Sequence, residues 1–364
     1  FSIAPALPLG LSFDTTTGII SGTPNAVSAT SIYTVTALNS GGSTSFGVSI
    51  TVNDVAPLAL SYNSPNVFTV GSSIANLVPT FTGNVSSFSI TPSLPSGLSF
   101  DTTTGIISGT PTTVTPTATY TVTETNSGGS LSFGIVITVN DVAPSTLSYT
   151  SPNVFTKGQT ITALSPSISG SVISYSIAPS LPSGFTFDTT SGVISGTPNA
   201  VSAAAIYTVT AFNSGGSTSF DVSITVNDVA PSTLSYNSPN VFTVGSSIAD
   251  LVPSFSGDVT SFSIAPALPS GLSFDTATGI ISGTPNVVSA AAIYTVTALN
   301  SGGSTSFGIS ITVNDIAPSA LSYPSPIILH VDQIVTDLWP TITGVVSHYQ
   351  IEPQLPDGLF FDVN

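Results

Sequence analysis

The chain repeats itself every 87 residues from one end to the other, with no insertion or deletion. Ser-Gly-Thr-Pro begins at Ser21, Ser108, Ser195 and Ser282, and Val-Asn-Asp begins at Val52, Val139, Val226 and Val313. Phe1, Phe88, Tyr175, Phe262 and Tyr349 occupy one equivalent position. A fixed period of this kind specifies an array of like units, so the fold question reduces to one unit. The copies are close: residues 1–57 and 262–318 differ at seven of 57 positions, with mild apolar exchanges such as Val48 for Ile309 and Ala26 for Val287. Mild exchanges keep core volume, so one packing is expected to serve every copy. Copying a module suits reach, valency or assembly, whereas a catalytic site needs a unique constellation.

A boundary set after Asn-Asp-Val-Ala-Pro gives complete units 58–144, 145–231 and 232–318. A partial unit, 1–57, lacks the first strands, and a divergent partial unit, 319–364, follows the last complete one. Within a unit, Phe46, Val48, Ile50 and Val52 alternate with Gly47, Ser49 and Thr51, while Tyr33, Val35 and Ala37 alternate with Thr34 and Thr36. A period of two, apolar inward and Ser/Thr outward, is the mark of a half-buried antiparallel strand. Asn39-Ser40-Gly41-Gly42 between the two runs reads as a hairpin connection, since Asn and Gly tolerate positive φ. Leu7-Pro8-Leu9-Gly10-Leu11 and Ser21-Gly22-Thr23-Pro24 punctuate further short strands. About seven strands per unit, with no helical period, predict an all-β chain: a tandem array of immunoglobulin-like or cadherin-like β-sandwiches. Pro57, Pro144, Pro231 and Pro318 stiffen short linkers, so a rod is expected, at roughly 35–40 Å per module if strands at about 3.3 Å per residue run along its axis.

Composition narrows the function. Charged residues make up 5% of the chain and the formal charge is −16, with Lys157 the one basic side chain besides histidine. Nucleic-acid binding needs Lys or Arg to displace phosphate counterions, and a polybasic membrane-surface mode needs the same residues. Both are excluded. No apolar run is long enough for a helical membrane span. There is no Cys to form a disulfide and no Met at all, which is expected of a processed chain or a window on a longer repeat protein. Near-absence of Lys and Arg also leaves trypsin-like proteases almost nothing to cut. A Ser/Thr-rich surface with so few cleavage sites suggests an extracellular, cell-surface location.

Leu94-Pro95-Ser96-Gly97-Leu98-Ser99-Phe100-Asp101, Thr104-Gly105-Ile106-Ile107-Ser108-Gly109-Thr110-Pro111, Tyr120-Thr121-Val122-Thr123 and Asn126-Ser127-Gly128-Gly129 recur throughout. In these segments the chain resembles the bacterial putative-Ig repeat family, which is similar to the dystroglycan-type cadherin-like domains. The resemblance implies a secreted or cell-surface multidomain protein, often a large adhesin or stalk, and no particular ligand.

Candidate sites are few. Asp14, Asp101, Asp188, Asp275 and Asp362 follow a core Phe or its equivalent and are expected to close Asx-type turns. Asp54, Asp141, Asp228 and Asp315 lie in Asn-Asp-Val/Ile-Ala-Pro, similar to the Asn-Asp-Asn-x-Pro linker of cadherins, and that likeness makes interdomain calcium a possible cofactor. Calcium takes about six to eight oxygens, and the acidic clusters that complete a cadherin site are missing here. Lys157, whose equivalents are Val70, Val244 and Val331, is expected to be a solvated strand residue with a snorkelling stem; an internal isopeptide is the alternative. His330 and Asp332 would share one face of a strand, with His348 further on, a weak metal signal. Asn84-Val85-Ser86 is a glycosylation sequon. No Ser-His-Asp arrangement repeats and no Cys nucleophile exists, so no catalytic residue is assigned.

Tyr62, Tyr149, Tyr236 and Tyr323 near the junctions are expected to pack there or to offer exposed contacts. Long Ser/Thr strands without charged gatekeepers suggest edges covered by assembly or by glycans. Residues 319–348 are the 30 positions that unit 1–57 lacks, so head-to-tail strand complementation between subunits is one arrangement; a window on a longer chain is the other. The expected function is an extracellular structural repeat protein forming a rod, stalk or filament through lateral or head-to-tail self-association. An adhesin whose repeats bind a surface glycan or protein is the second reading, and a stalk carrying an enzyme outside this segment is a third.

Overall fold

The computed structural model describes residues 1–363; Asn364, the last residue of the divergent unit, lies outside them. Among the described residues every regular element is a strand. Unit 58–144 contains eight: β1 (Ala59–Ser61), β2 (Asn66–Thr69), β3 (Thr80–Thr82), β4 (Ser87–Thr91), β5 (Leu98–Phe100), β6 (Ile107–Gly109), β7 (Thr115–Asn126) and β8 (Gly129–Asn140). One layer is a four-stranded sheet in the order β2-β8-β7-β4, in which β2 runs parallel to β8 and the other pairs are antiparallel. The facing layer is assembled from the β5-β6 and β1-β3 pairs and an antiparallel bridge from Leu77 to Ile107. Units 145–231 and 232–318 repeat this topology.

The period-two alternation places the core. Tyr120 and Val122 on β7, and Ile135, Ile137 and Val139 on β8, point inward against Leu60, Leu77, Phe88 and Ile107. Ile107, Ile135, Ile137 and Val139 are wholly inaccessible, and burying one such side chain stabilises by about 1.5–3 kcal/mol. The outward hydroxyls pair across the sheet: Thr123 with Ser132 at 2.8 Å, Thr210 with Ser219 at 2.9 Å and Thr297 with Ser306 at 2.8 Å. In the first unit Asn39 pairs with Gly42 across the expected hairpin turn.

Three expectations change. The strands are eight per complete unit rather than about seven, and two of them are 12 residues long. In the complete units those long Ser/Thr strands have neighbours on both sides over only part of their length, β7 against β4 at Thr121–Thr125 and β8 against β2 at Ile137–Asn140. The outer strands β2 and β4, of four and five residues, shorten the open edge, and the rest of β7 and β8 has a strand partner on one side only. The junction tyrosines are not at the junctions. Tyr62, Tyr149 and Tyr236 are buried within their own units, and their hydroxyls donate to the carbonyls of Gly105, Gly192 and Gly279, each at 2.6 Å. Each hydroxyl thereby anchors the Asp-x-x-Thr/Ser-Gly turn to the first strand of the unit. Tyr323 is the exposed member, in the divergent unit.

Candidate functional site at the inter-module joints

The residues that recur outside the core converge on the joints. At the end of the long hairpin, Asn126 Oδ1 accepts the N–H groups of Gly128 and Gly129 at 2.8 and 3.1 Å. That bond turns the Asn126 amide towards the linker from the preceding unit. Asn126 Nδ2 then donates to the carbonyls of Val55 and Asn84, at 2.8 and 2.7 Å. Ser127 Oγ accepts the Asp54 backbone N–H at 2.8 Å and donates to the Asp54 carboxylate at 3.3 Å. A Cβ on Gly128 would sit 2.0 Å from the Asp54 carbonyl oxygen, so the linker can lie on the hairpin only if this residue has no side chain. Gly128 has no left-handed φ; the requirement is space.

The same joint forms twice more. Asn213 donates to the carbonyls of Val142 and Ser171 at 2.7 and 2.9 Å, and Asn300 to those of Val229 and Asp258, both at 2.7 Å. Ser214 and Ser301 accept the N–H groups of Asp141 and Asp228 at 2.9 and 2.8 Å. Gly215 and Gly302 would also carry a Cβ 2.0 Å from the carbonyl oxygens of Asp141 and Asp228. Ser-Gly-Gly is therefore more than a turn. Its serine and first glycine receive the linker, a role hidden by the separation of 73 positions from Asp54 to Ser127.

The linker carboxylates are engaged by donors. Asp54 also accepts the Asn84 amide at 3.2 Å, while Asp141, Asp228 and Asp315 accept the N–H of the following residue at 2.8–3.0 Å. Among the described residues no group of three or more His, Cys, Asp or Glu side chains comes together. The sequon residue Asn84 is part of the first joint. His330 and Asp332 do not share a strand: His330 precedes a turn, and Asp332 sits in it with φ of 61°.

Lys157 departs from its expected role. It follows the strand Asn153–Thr156, and its ammonium lies 3.5 Å from Asp228 and 3.2 Å from Asp258 of the next unit. The hydrogen bond to Asp258, then the Asp228 charge, hold the ammonium above its ordinary pKa. A charged, partly exposed amine is a poor nucleophile for an isopeptide. The contact reinforces one joint only, because Val70 and Ser171 stand at the equivalent places between units 58–144 and 145–231.

The Asx turns form as expected. Asp14, Asp101, Asp188 and Asp275 each accept the N–H groups two and three residues on, at 2.7–2.8 Å and 3.1–3.3 Å. The N–H two residues on is the largest influence holding each carboxyl below its ordinary pKa.

Sequence reading passed over Glu124. It is completely inaccessible on the core face of β7, and neither carboxyl oxygen has a hydrogen-bond partner. The signal was available, since Glu124 stands where the other copies have Ala37, Ala211 and Ala298.

The family model described as Putative Ig domain matches residues 1–53, 49–140, 136–227 and 223–314. The chain belongs to this family. Each later Putative Ig domain match begins ahead of the linker, so Asp54 and Gly128, or Asp141 and Gly215, fall within one copy. Serine-rich adhesin for platelets from Staphylococcus aureus strain MRSA252 is 35% identical over 127 residues, covering 34% of this chain and 9% of the relative. The same adhesin from strain MW2 is 35% identical over 127 residues, covering 34% of this chain and 6% of the relative. The match thus spans less than a tenth of these relatives. Among solved structures, an I-band fragment of titin is 16% identical, with 72% of this chain and 100% of that chain covered and a TM-score of 0.35. The N-terminal eight Ig domains of Down Syndrome Cell Adhesion Molecule are 15% identical, with 85% and 43% covered and a TM-score of 0.36.

Proposed function

We propose that this chain is a non-enzymatic, extracellular segment of a microbial surface protein, in which Putative Ig domain modules form a stiff spacer or stalk. The observation that carries the reading is the joint: a linker packed on the next hairpin through a glycine that leaves no room for a methyl, repeated three times. Such joints restrict bending and keep successive modules in one relation. Small-angle scattering of the whole chain tests this. An elongated particle of narrow dimension distribution is expected; a broad distribution that includes folded-back conformers would refute it.

The second reading, an adhesin, draws on the partial likeness to the serine-rich adhesin for platelets. The exposed sheet faces, lined with paired hydroxyls, are polar surfaces suited to a glycan or a protein partner. Saturable binding of the chain to platelets or immobilised glycans would favour it. Lateral or head-to-tail self-association is a further proposal, tested by concentration-dependent fibres in electron micrographs.

A further inference from the structure

Glu124 is the one acidic side chain wholly buried among the described residues, and nothing neutralises it. Phe88 on β4 and Leu131 on β8 stand directly opposite it in the sheet. In the sibling units the place of Leu131 is taken by Thr44, Thr218 or Thr305, so this module has both gained a carboxyl and lost the neighbouring hydroxyl. β4 and β8 carry no charged side chain, and unit 58–144 contains no Lys, Arg or His. Its other acids, Asp101 and Asp141, lie in the surface turn and the linker. The titratable groups nearby are phenols: Tyr62 from the facing layer, whose hydroxyl is already donated to Gly105, and Tyr120 on the same face of β7. A carboxylate in such a place has neither solvent nor partner, so burial favours the protonated acid over the ionised one.

We propose that Glu124 makes module 58–144 a pH-sensitive weak link, folded around the neutral acid and loosened when that acid ionises. Burial raises the carboxyl pKa of the folded form, and the Glu124 charge in turn contributes to a raised Tyr62 pKa. The folded state therefore holds its proton more tightly than the unfolded chain does. The associated stability is full below the ordinary glutamate pKa of about 4.3, and it falls by up to about tenfold per pH unit until the folded-state pKa is passed. Two residues along the strand, Asn126 holds Val55 and Asn84. Loosening this end of β7 also releases the joint to the preceding unit, so the array would bend or extend first at one chosen place.

Hydrogen exchange of the intact chain, read by peptide and corrected for intrinsic rates, tests the proposal across pH 5 to 8 (roughly 0.7 to 3.7 units above the free glutamate pKa). Protection of 115–140 is expected to fall at least tenfold relative to 202–227 and 289–314, and the same fall should appear at the Asp54 amide, which donates to Ser127 Oγ. Glu124→Ala, which restores the residue of the sibling modules, should remove the difference and raise protection at the alkaline end. Glu124→Gln should remove the pH dependence while keeping the buried polar group. Equal protection of the three hairpins at every pH would overturn the proposal, as would a pH dependence that survives in both variants.

Discussion

Replacing Gly215 with alanine tests the joint most directly. The new methyl carbon would lie 2.0 Å from the Asp141 carbonyl oxygen, 2.8 Å from its carbon and 2.9 Å from the Ala143 nitrogen. All three are backbone atoms of the linker, so no side-chain rotation relieves the clash. Ordinary contact begins at 3.4 Å, and the linker must retreat by about 1.4 Å. That movement breaks the 2.7 Å bond from Asn213 to Val142 and the 2.9 Å bond from Asp141 to Ser214. With each bond worth about 0.5–1.5 kcal/mol net, the docked linker loses about 1–3 kcal/mol, a factor of roughly 5 to 150 in its population. Small-angle scattering should report a broader distribution of maximum dimension, while the core transition of unit 145–231 moves little. Gly41→Ala is the control, because its methyl would meet only Asn39 Oδ1, at 3.2 Å. If Gly215→Ala scatters like Gly41→Ala, the hairpin does not hold the linker and the reasoning fails.

Tyr236→Phe leaves the Gly279 carbonyl without its 2.6 Å donor and should destabilise unit 232–318 by about 1–3 kcal/mol. Chemical denaturation followed by a probe in that unit would read the loss, and an unchanged midpoint would show that water replaces the phenol. The Asx-turn acids provide the acid side of the stability profile. The pKa of Asp188, lowered most by the Thr190 N–H, contributes stability that is present above the ordinary carboxylate value of about 3.9 and lost as pH falls through the folded value. Carboxyl-carbon NMR titration should place the Asp188 midpoint below the ordinary carboxylate value of about 3.9; a midpoint at or above that value would contradict the turn. The linker carboxylates are committed to N–H and O–H donors, so calcium or a chelator should leave the melting midpoint of the chain unchanged. A rise of several degrees with calcium would instead establish the interdomain site that the cadherin likeness suggests.

Much of the fold is local and could be read directly. The 87-residue period, the alternation from Tyr120 through Val122, the Asn-Ser-Gly-Gly turn and the Asp188 turn all depend on residues a few positions apart. Chain stereochemistry decides such features, and each recurs in every complete copy. Alternation even indicated which way Glu124 points, since it follows Tyr120 and Val122 at steps of two.

The tertiary structure decided what depends on partners distant in sequence. Tyr62 follows Leu60 at a step of two and so faces inward with it, but only the fold brings its hydroxyl to Gly105, 43 residues away. Strand length is visible in sequence, but whether a strand is central or at an edge is set by its neighbours, and here short β2 and β4 cover only part of the long Ser/Thr strands. Lys157 reads as an isolated charge until packing of successive units brings it to Asp258, 101 residues on. Gly128 reads as a turn residue until the Asp54 linker comes to rest where its side chain would be. Period and pattern specify a module through short-range sterics and burial; the joint between modules, and the isolation of a carboxyl inside one of them, arise only when the chain closes on itself.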